Sequence, residues 1–190
     1  MSLKIAVITS TTRPSRMGPV FAKWFMDQVK DYPEVSFELI DLAEENLPFL
    51  EEEHSPASGM YEKERTKAWS KKIASYDGYV FVTAEYNNGY PAPLKNAIDT
   101  LYHEWARKPV AFFGYGTYGA ARSIEQLVNV TAKLNMVPLP ANVVAVIEPW
   151  SAIKEDGSLR AENVKGKLDG LVENLTWWAK LLAQARSTDK

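Results

Sequence analysis

Hydrophobic positions recur along the chain in two alternating patterns. Short apolar runs predict β-strands at Leu3–Thr9, Val35–Ile40, Tyr79–Thr83, Pro109–Phe113 and Asn142–Ile147. The second run is interleaved with Ser36 and Glu38, as expected of a strand at a sheet edge. Between these runs the period lengthens to that of a helix. Phe21, Phe25 and Val29 recur behind Pro19, a residue suited to a first helical turn. Leu94, Ala97, Ile98, Leu101 and Trp105 make a second apolar face behind Pro93, and Ile124, Leu127, Val128 and Thr131 make a third. Val164, Leu168, Leu171, Leu175, Trp178 and Leu182 form one stripe near the end, while Tyr61–Ile73 predicts a more polar helix.

Strands alternating with helices, the strands being nearly continuously apolar, predict an α/β chain with a parallel sheet buried on both faces. Five such strands suit a flavodoxin-like three-layer sandwich in the order 2-1-3-4-5, with residues 1–190 as one domain. In such sheets ligands bind beyond the carboxyl ends of the strands, beside the first. The loops after Thr9, Thr83 and Phe113 are therefore where chemistry is expected.

Composition narrows the function classes. A chain of 190 residues, 46% apolar and with six Trp, can bury a full core. Its net charge of −2 gives no basic surface for nucleic acid. The absence of cysteine excludes disulfides, thiolate nucleophiles and Fe–S clusters. The longest apolar run, Val143–Ile147, is far short of the roughly 20 residues of a membrane span. Only Ile5–Ile8 follow Lys4 as an apolar stretch, too few for a signal peptide, so a cytoplasmic location without membrane partners is expected. His54 and His103 have no ligand pattern around them, so no metal is expected.

The first loop, Ser10-Thr11-Thr12-Arg13-Pro14-Ser15-Arg16-Met17-Gly18-Pro19, places hydroxyls and two arginines before a helix start. Orphan N–H groups and the helix dipole favour an anion there, and the loop lacks the Walker pattern, so a phosphate cradle is the stronger reading over a plain capped connection. The second, Glu85-Tyr86-Asn87-Asn88-Gly89-Tyr90-Pro91, suits either a flat heterocycle or a Pro/Gly-rich turn. The third contains Gly114, Gly116 and Gly119 with Thr117 and Tyr118 between, formally G-x-G-x-x-G. A dinucleotide fingerprint expects an acidic residue about 20 positions on. Position 139 is Leu and the next acidic residue is Glu148, so that reading fails and a Gly-rich wall against a flat ligand remains. Phosphate at one loop and a planar ring between two others describe flavin mononucleotide (FMN) better than ATP, for which no P-loop or magnesium-ligand set exists. Phe49, Leu50, Met60 and Tyr61 belong to a long connection that is either a plain surface loop or a cover for a partner subunit's pocket.

The wording of these loops resembles the NADPH-dependent FMN reductase family. The resemblance rests on Ile8-Thr9-Ser10-Thr11-Thr12-Arg13-Pro14 with Gly18, on Glu85-Tyr86-Asn87-Asn88 through Leu94-Lys95-Asn96-Ala97-Ile98-Asp99, and on Glu104-Trp105 with Lys108-Pro109-Val110. It implies that Ser10, Thr12, Arg13 and the Arg16-Met17-Gly18 turn hold the FMN phosphate. Glu85, Tyr86, Asn87 and Asn88 would line the ring and ribityl, and Gly116, Thr117, Tyr118 and Gly119 would close the other side. It further implies an enzyme with bound FMN, NADPH or NADH as hydride donor, ping-pong transfer to flavins, quinones or similar small acceptors, a homodimer or homotetramer, and no side chain as an obligatory acid or base. The sequence departs from the family at Ala84, where Pro is usual. It departs again at Thr117-Tyr118-Gly119-Ala120-Ala121-Arg122, where Ser-x-Gly-Gly-x-Arg is usual, and Tyr118 adds a large ring. The competing reading is a flavin-loaded electron carrier or redox-gated binding protein, against which the near-neutral charge counts. A phosphate-dependent enzyme without flavin is a third.

Overall fold

The computed structural model describes residues 3–188. Its elements run β1 (Leu3–Thr9), α1 (Gly18–Val29), β2 (Val35–Asp41), α2 (Leu42–Glu45), α3 (Glu64–Ala74), β3 (Gly78–Ala84), α4 (Ala92–Asp99) and β4 (Pro109–Gly116). There follow α5 (Ala121–Lys133), β5 (Val137–Pro138), β6 (Val144–Ile147), α6 (Pro149–Ala152), β7 (Val164–Lys165) and α7 (Leu168–Thr188). The strand order is β2-β1-β3-β4-β6-β7, with β5 pairing β4.

The five expected strands therefore take the expected order, but the sheet has seven strands, and β7 is antiparallel to β6. The extra strands have local causes. Val137–Pro138 pairs with Pro109 and Val110 at the start of β4, and Val144–Ile147 with Phe113 to Gly116 at its end. Pro138 and Pro140 lack backbone donors, so the chain leaves β4 after the short β5 and rejoins it only at Val144, inside the expected fifth strand. Val164 lies in β7 rather than in the last helix, which starts at Leu168 after the left-handed turn at Gly166 (φ 85°). The helix expected over Leu94–Trp105 stops at Asp99. Trp105 instead sits in a separate 3₁₀ turn, where its indole N–H donates to the Ile98 carbonyl at 3.1 Å.

Alternation along the strands builds two cores. Ile5, Val7, Val80, Val82, Ala111 and Phe113 face α1 and α7, where Phe21, Phe25, Leu171 and Leu175 meet them. Ala6, Ile8, Phe81 and Phe112 face α3, α4 and α5 through Trp69, Ile73, Leu94, Ile98 and Leu127. Trp178 packs on the first core while Trp177 is exposed, as two adjacent positions on a helix require. No helix among the described residues is long and apolar enough to cross a membrane.

At the amino ends of the strands, a cavity of about 1310 Å³ is lined by Lys4, Glu34, Asp77, Lys108, Lys180 and Arg186. Two ion pairs join its walls, Lys180 with Glu34 and Arg186 with Asp77. Lys108 Nζ caps α3 by donating to the Ile73 and Ala74 carbonyls, and burial lowers its pKa to about 7. This cavity lies at the opposite end of the sheet from the three loops.

Candidate active site

The three loops all leave the carboxyl ends of adjacent strands, β1, β3 and β4. The first continues the β1 ladder by one residue, Ser10 N–H donating to the Val82 carbonyl at 3.0 Å. Ser10 and Thr11 are consequently buried. The Ser10 hydroxyl accepts from the Ala84 amide at 3.3 Å, and Thr11 and Tyr115 share a hydroxyl–hydroxyl hydrogen bond at 3.1 Å. Burial pushes the Tyr115 phenol up to about 12, so it remains a neutral donor at ordinary pH. Gly18 is needed where α1 begins: a Cβ there would stand 2.8 Å from Thr11 Oγ1 and 3.0 Å from the Tyr115 hydroxyl.

The two arginines of this loop have different environments. Arg16 is half-buried and its Nη2 lies 2.8 Å from Asp41 Oδ2 at the end of β2. Burial opposes ionisation of Asp41, but hydrogen bonds from Arg16, the Ala43 amide and Thr9 hold its carboxyl below the usual range. Arg16 Nε is buried and unpartnered among the described residues. Arg13 is exposed, and its guanidinium donates, among the described residues, to the neighbouring Ser15 hydroxyl at 2.9 Å. Helix α1 has Pro19 in its first turn, no side-chain cap and no acidic residue there. The amides of Thr12, Arg13 and Gly18 find no acceptor among the described residues. This N-terminus has donors and positive potential without an internal anion.

The second loop is a two-residue hairpin. Tyr86 and Gly89 exchange N–H···O bonds at 2.8 and 3.0 Å, and Asn87 and Asn88 take φ of 51° and 65°. Both central residues are left-handed, the type I′ geometry for which Asn is favoured. Replacing Asn88 by Val is expected to cost about 1–2 kcal/mol, against near-neutrality for Asn88→Gly, measured by urea unfolding. Equal stability of the two variants would refute the turn assignment.

Glu85 joins the second loop to the third. Its carboxylate accepts from the Arg122 amide at 3.0 Å and from Arg122 Nη1 at 2.8 Å, so it supplies the anion at the α5 N-terminus. Gln126 Nε2 reinforces the link by donating to the Asn88 carbonyl at 2.8 Å. The third loop is shorter than expected because β4 extends to Gly116, leaving Thr117 and Tyr118 as the exposed tip. Gly119, at φ 64°, has no room for a side chain, since a Cβ would meet that of Ala145 at 2.7 Å. Residues 85–88 and 116–119 thus form two walls side by side at the ends of β3 and β4, tied through Glu85–Arg122 and Asn88–Gln126, while Thr12, Arg13, Met17 and Gly18 gather at the α1 start. Beside Thr12, a further cavity of about 350 Å³ is lined by Leu42, Asn46, Phe49, Pro93 and Asn96.

Thr11, Asp41, Tyr115 and Arg122 were not among the site residues expected from the sequence. Each orders a loop rather than presenting itself at the tip. Their signal was positional: all stand within two residues of a strand or helix end on the ligand side.

The residues present suit FMN. An anion is wanted at α1, where amides lack acceptors and Arg13 is free to turn, and none is wanted at α5, where Glu85 already stands.

A relative from Schizosaccharomyces pombe, described as an NAD(P)H-dependent FMN reductase, is 42% identical over 72% of this chain and 70% of its own length. Another of that description from Nectria is 36% identical, covering 96% of this chain and 98% of itself. Among solved structures, a flavoenzyme NAD(P)H:(acceptor) oxidoreductase from Paracoccus denitrificans superposes with a TM-score of 0.69 at 22% identity, covering 96% of this chain and 98% of its own. The family model for NADPH-dependent FMN reductase matches residues 3–150, so this chain belongs to the NADPH-dependent FMN reductase family.

Proposed function

We propose that the protein is an FMN-dependent NAD(P)H oxidoreductase that reduces flavins, quinones or similar small acceptors. The observation that carries this reading is the contrast between two helix starts: α5 is closed by Glu85, whereas α1 offers unpaired amides beside Arg13. In this reading Thr12, Arg13, Met17 and Gly18 receive the phosphate, with Arg16 Nε as a further donor. The buried Ser10 hydroxyl, already accepting from Ala84, has its own hydrogen to give. The Tyr86–Gly89 hairpin and the Gly116–Gly119 turn hold the ring edges and keep bulk water from one side. Bound FMN supplies two-electron transfer from NAD(P)H to the acceptor; the protein supplies orientation and field. The reading assigns no side chain of the walls an obligatory acid or base role.

A homodimer or homotetramer belongs to the same proposal. Exposed Phe49 and Leu50 lie beside a cavity of about 570 Å³ lined by Leu50, Leu101, Tyr102, Val130 and Leu134, which a second copy would cover. A cytoplasmic setting, where reduced nicotinamide is available, fits the cysteine-free chain.

The test is an anaerobic visible spectrum of the purified protein with FMN, before and after NADPH and then NADH. A bound-flavin spectrum that bleaches within the turnover time is expected. Bound flavin that neither nucleotide reduces would make the protein a carrier or binding module, and no flavin binding would end the proposal.

A further inference from the structure

Tyr118 stands in the turn between β4 and α5, where the Gly119 amide donates to the Gly116 carbonyl at 3.1 Å, and it is 66% exposed. One face of its ring is covered, for Arg122 Cζ lies 5.0 Å from the ring centroid. That guanidinium is itself anchored, by Nη1 to Glu85 Oε1 at 2.8 Å, while the Arg122 amide holds Oε2 at 3.0 Å. The Glu85 side chain is only 12% exposed, at the end of β3. The ring is thus propped from behind by a cation tied to the neighbouring wall, and its other face is open. A mobile lid would not need its support fixed at both the main chain and the side chain. An aromatic ring held still with one face bare is suited to stacking.

Resting on the flavin-reductase reading, we propose that Tyr118 determines acceptor specificity: it is a fixed stacking platform that favours planar polycyclic acceptors over single-ring ones. Arg122 and Glu85 are positioning residues that set the plane of the ring. Contact area with a flat partner grows with the number of fused rings, so the preference rises with acceptor size until the partner overhangs the platform.

The experiment compares kcat/KM for 9,10-phenanthrenequinone and 1,4-benzoquinone in the FMN-loaded wild type, Tyr118→Phe, Tyr118→Ala and Arg122→Gln. Binding of anthracene-2-carboxylate, followed by its own fluorescence, provides a readout independent of turnover. The polycyclic-to-single-ring ratio is expected to fall roughly three- to tenfold in Tyr118→Ala and to be kept in Tyr118→Phe. The Kd for anthracene-2-carboxylate should rise by a similar factor in Tyr118→Ala. Arg122→Gln should lose part of the preference with the ring intact, which a purely local role of Tyr118 would not produce. An unchanged ratio in Tyr118→Ala would overturn the proposal, and a raised ratio would show the ring to be an obstruction. If the wild type takes up no FMN, the flavin-reductase reading fails. The anthracene-2-carboxylate comparison on the protein alone then decides whether the platform exists.

Discussion

Replacing Gly114 by alanine is expected to cost about 3 kcal/mol of stability or more. The new Cβ would lie 2.0 Å from the Gly119 carbonyl oxygen and 2.9 Å from Ile124 Cδ1. The first of these is a backbone atom, which a rotamer change cannot move out of the way, in a turn so close to β6 that a Cβ on Gly119 would come within 2.7 Å of Ala145 Cβ. Relief would require moving the whole Gly116–Gly119 turn, and with it the third loop of the site. For a chain of this size the expected loss in Tm is about 6–12 °C, accompanied by weakened FMN binding. Gly157→Ala is the comparison: nothing lies within 4 Å of its added Cβ, and only the left-handed φ of 80° penalises it, by about 1 kcal/mol. Matching thermal unfolding of the two variants would show that the close approach of β4 to the turn is wrong.

Removal of the Arg13 side chain is expected to raise the Kd for FMN by roughly 10- to 100-fold, the worth of one charge-assisted hydrogen bond of about 1.5–3 kcal/mol. Stability should be nearly unaffected, since Arg13 is exposed and holds only Ser15. Arg16→Ala should behave oppositely in the apo protein. It strips Asp41 of its guanidinium in a half-buried setting and is expected to destabilise by a few kcal/mol. Flavin fluorescence quenching and urea unfolding on both variants check the pair. Unimpaired FMN binding in Arg13→Ala, with a stable Arg16→Ala that no longer binds, would exchange the roles assigned here.

The fold was legible where hydrophobic period carries it. β3 and β4 bury side chains on both faces and carry the unbroken apolar runs Tyr79–Val82 and Val110–Phe113, while β2, at the edge, shows the alternation that Ser36 and Glu38 create. The failures are local. Leu101 and Trp105 keep the helical period beyond Asp99, although the helix has ended, because both still point into the second core from other backbone. The two-residue strands β5 and β7 are too short for any period to register. For the site, the loops could be located from their place after the strands, and the residue types announced an anion and a flat ring. The partition of labour within them could not be read. That Arg16 belongs to Asp41, and Glu85 to Arg122, follows from which strand ends are neighbours in space: positions 25 and 37 residues apart in the chain.

The two borders of the sheet decide where another protein can attach. β2 carries Glu38 among exposed positions, paired to Lys4 at 3.6 Å and accepting from the Tyr76 hydroxyl at 2.8 Å. A further strand laid alongside would have to desolvate that carboxylate. The far border is β7, only two residues long and closed by the turn at Gly166. Neither margin offers a long, uncharged template, so edge-to-edge growth into fibres or continuous intermolecular sheets is discouraged at both ends. An assembly that leaves both margins unpaired would use the helical layers and their connecting loops, with the strands as an internal scaffold.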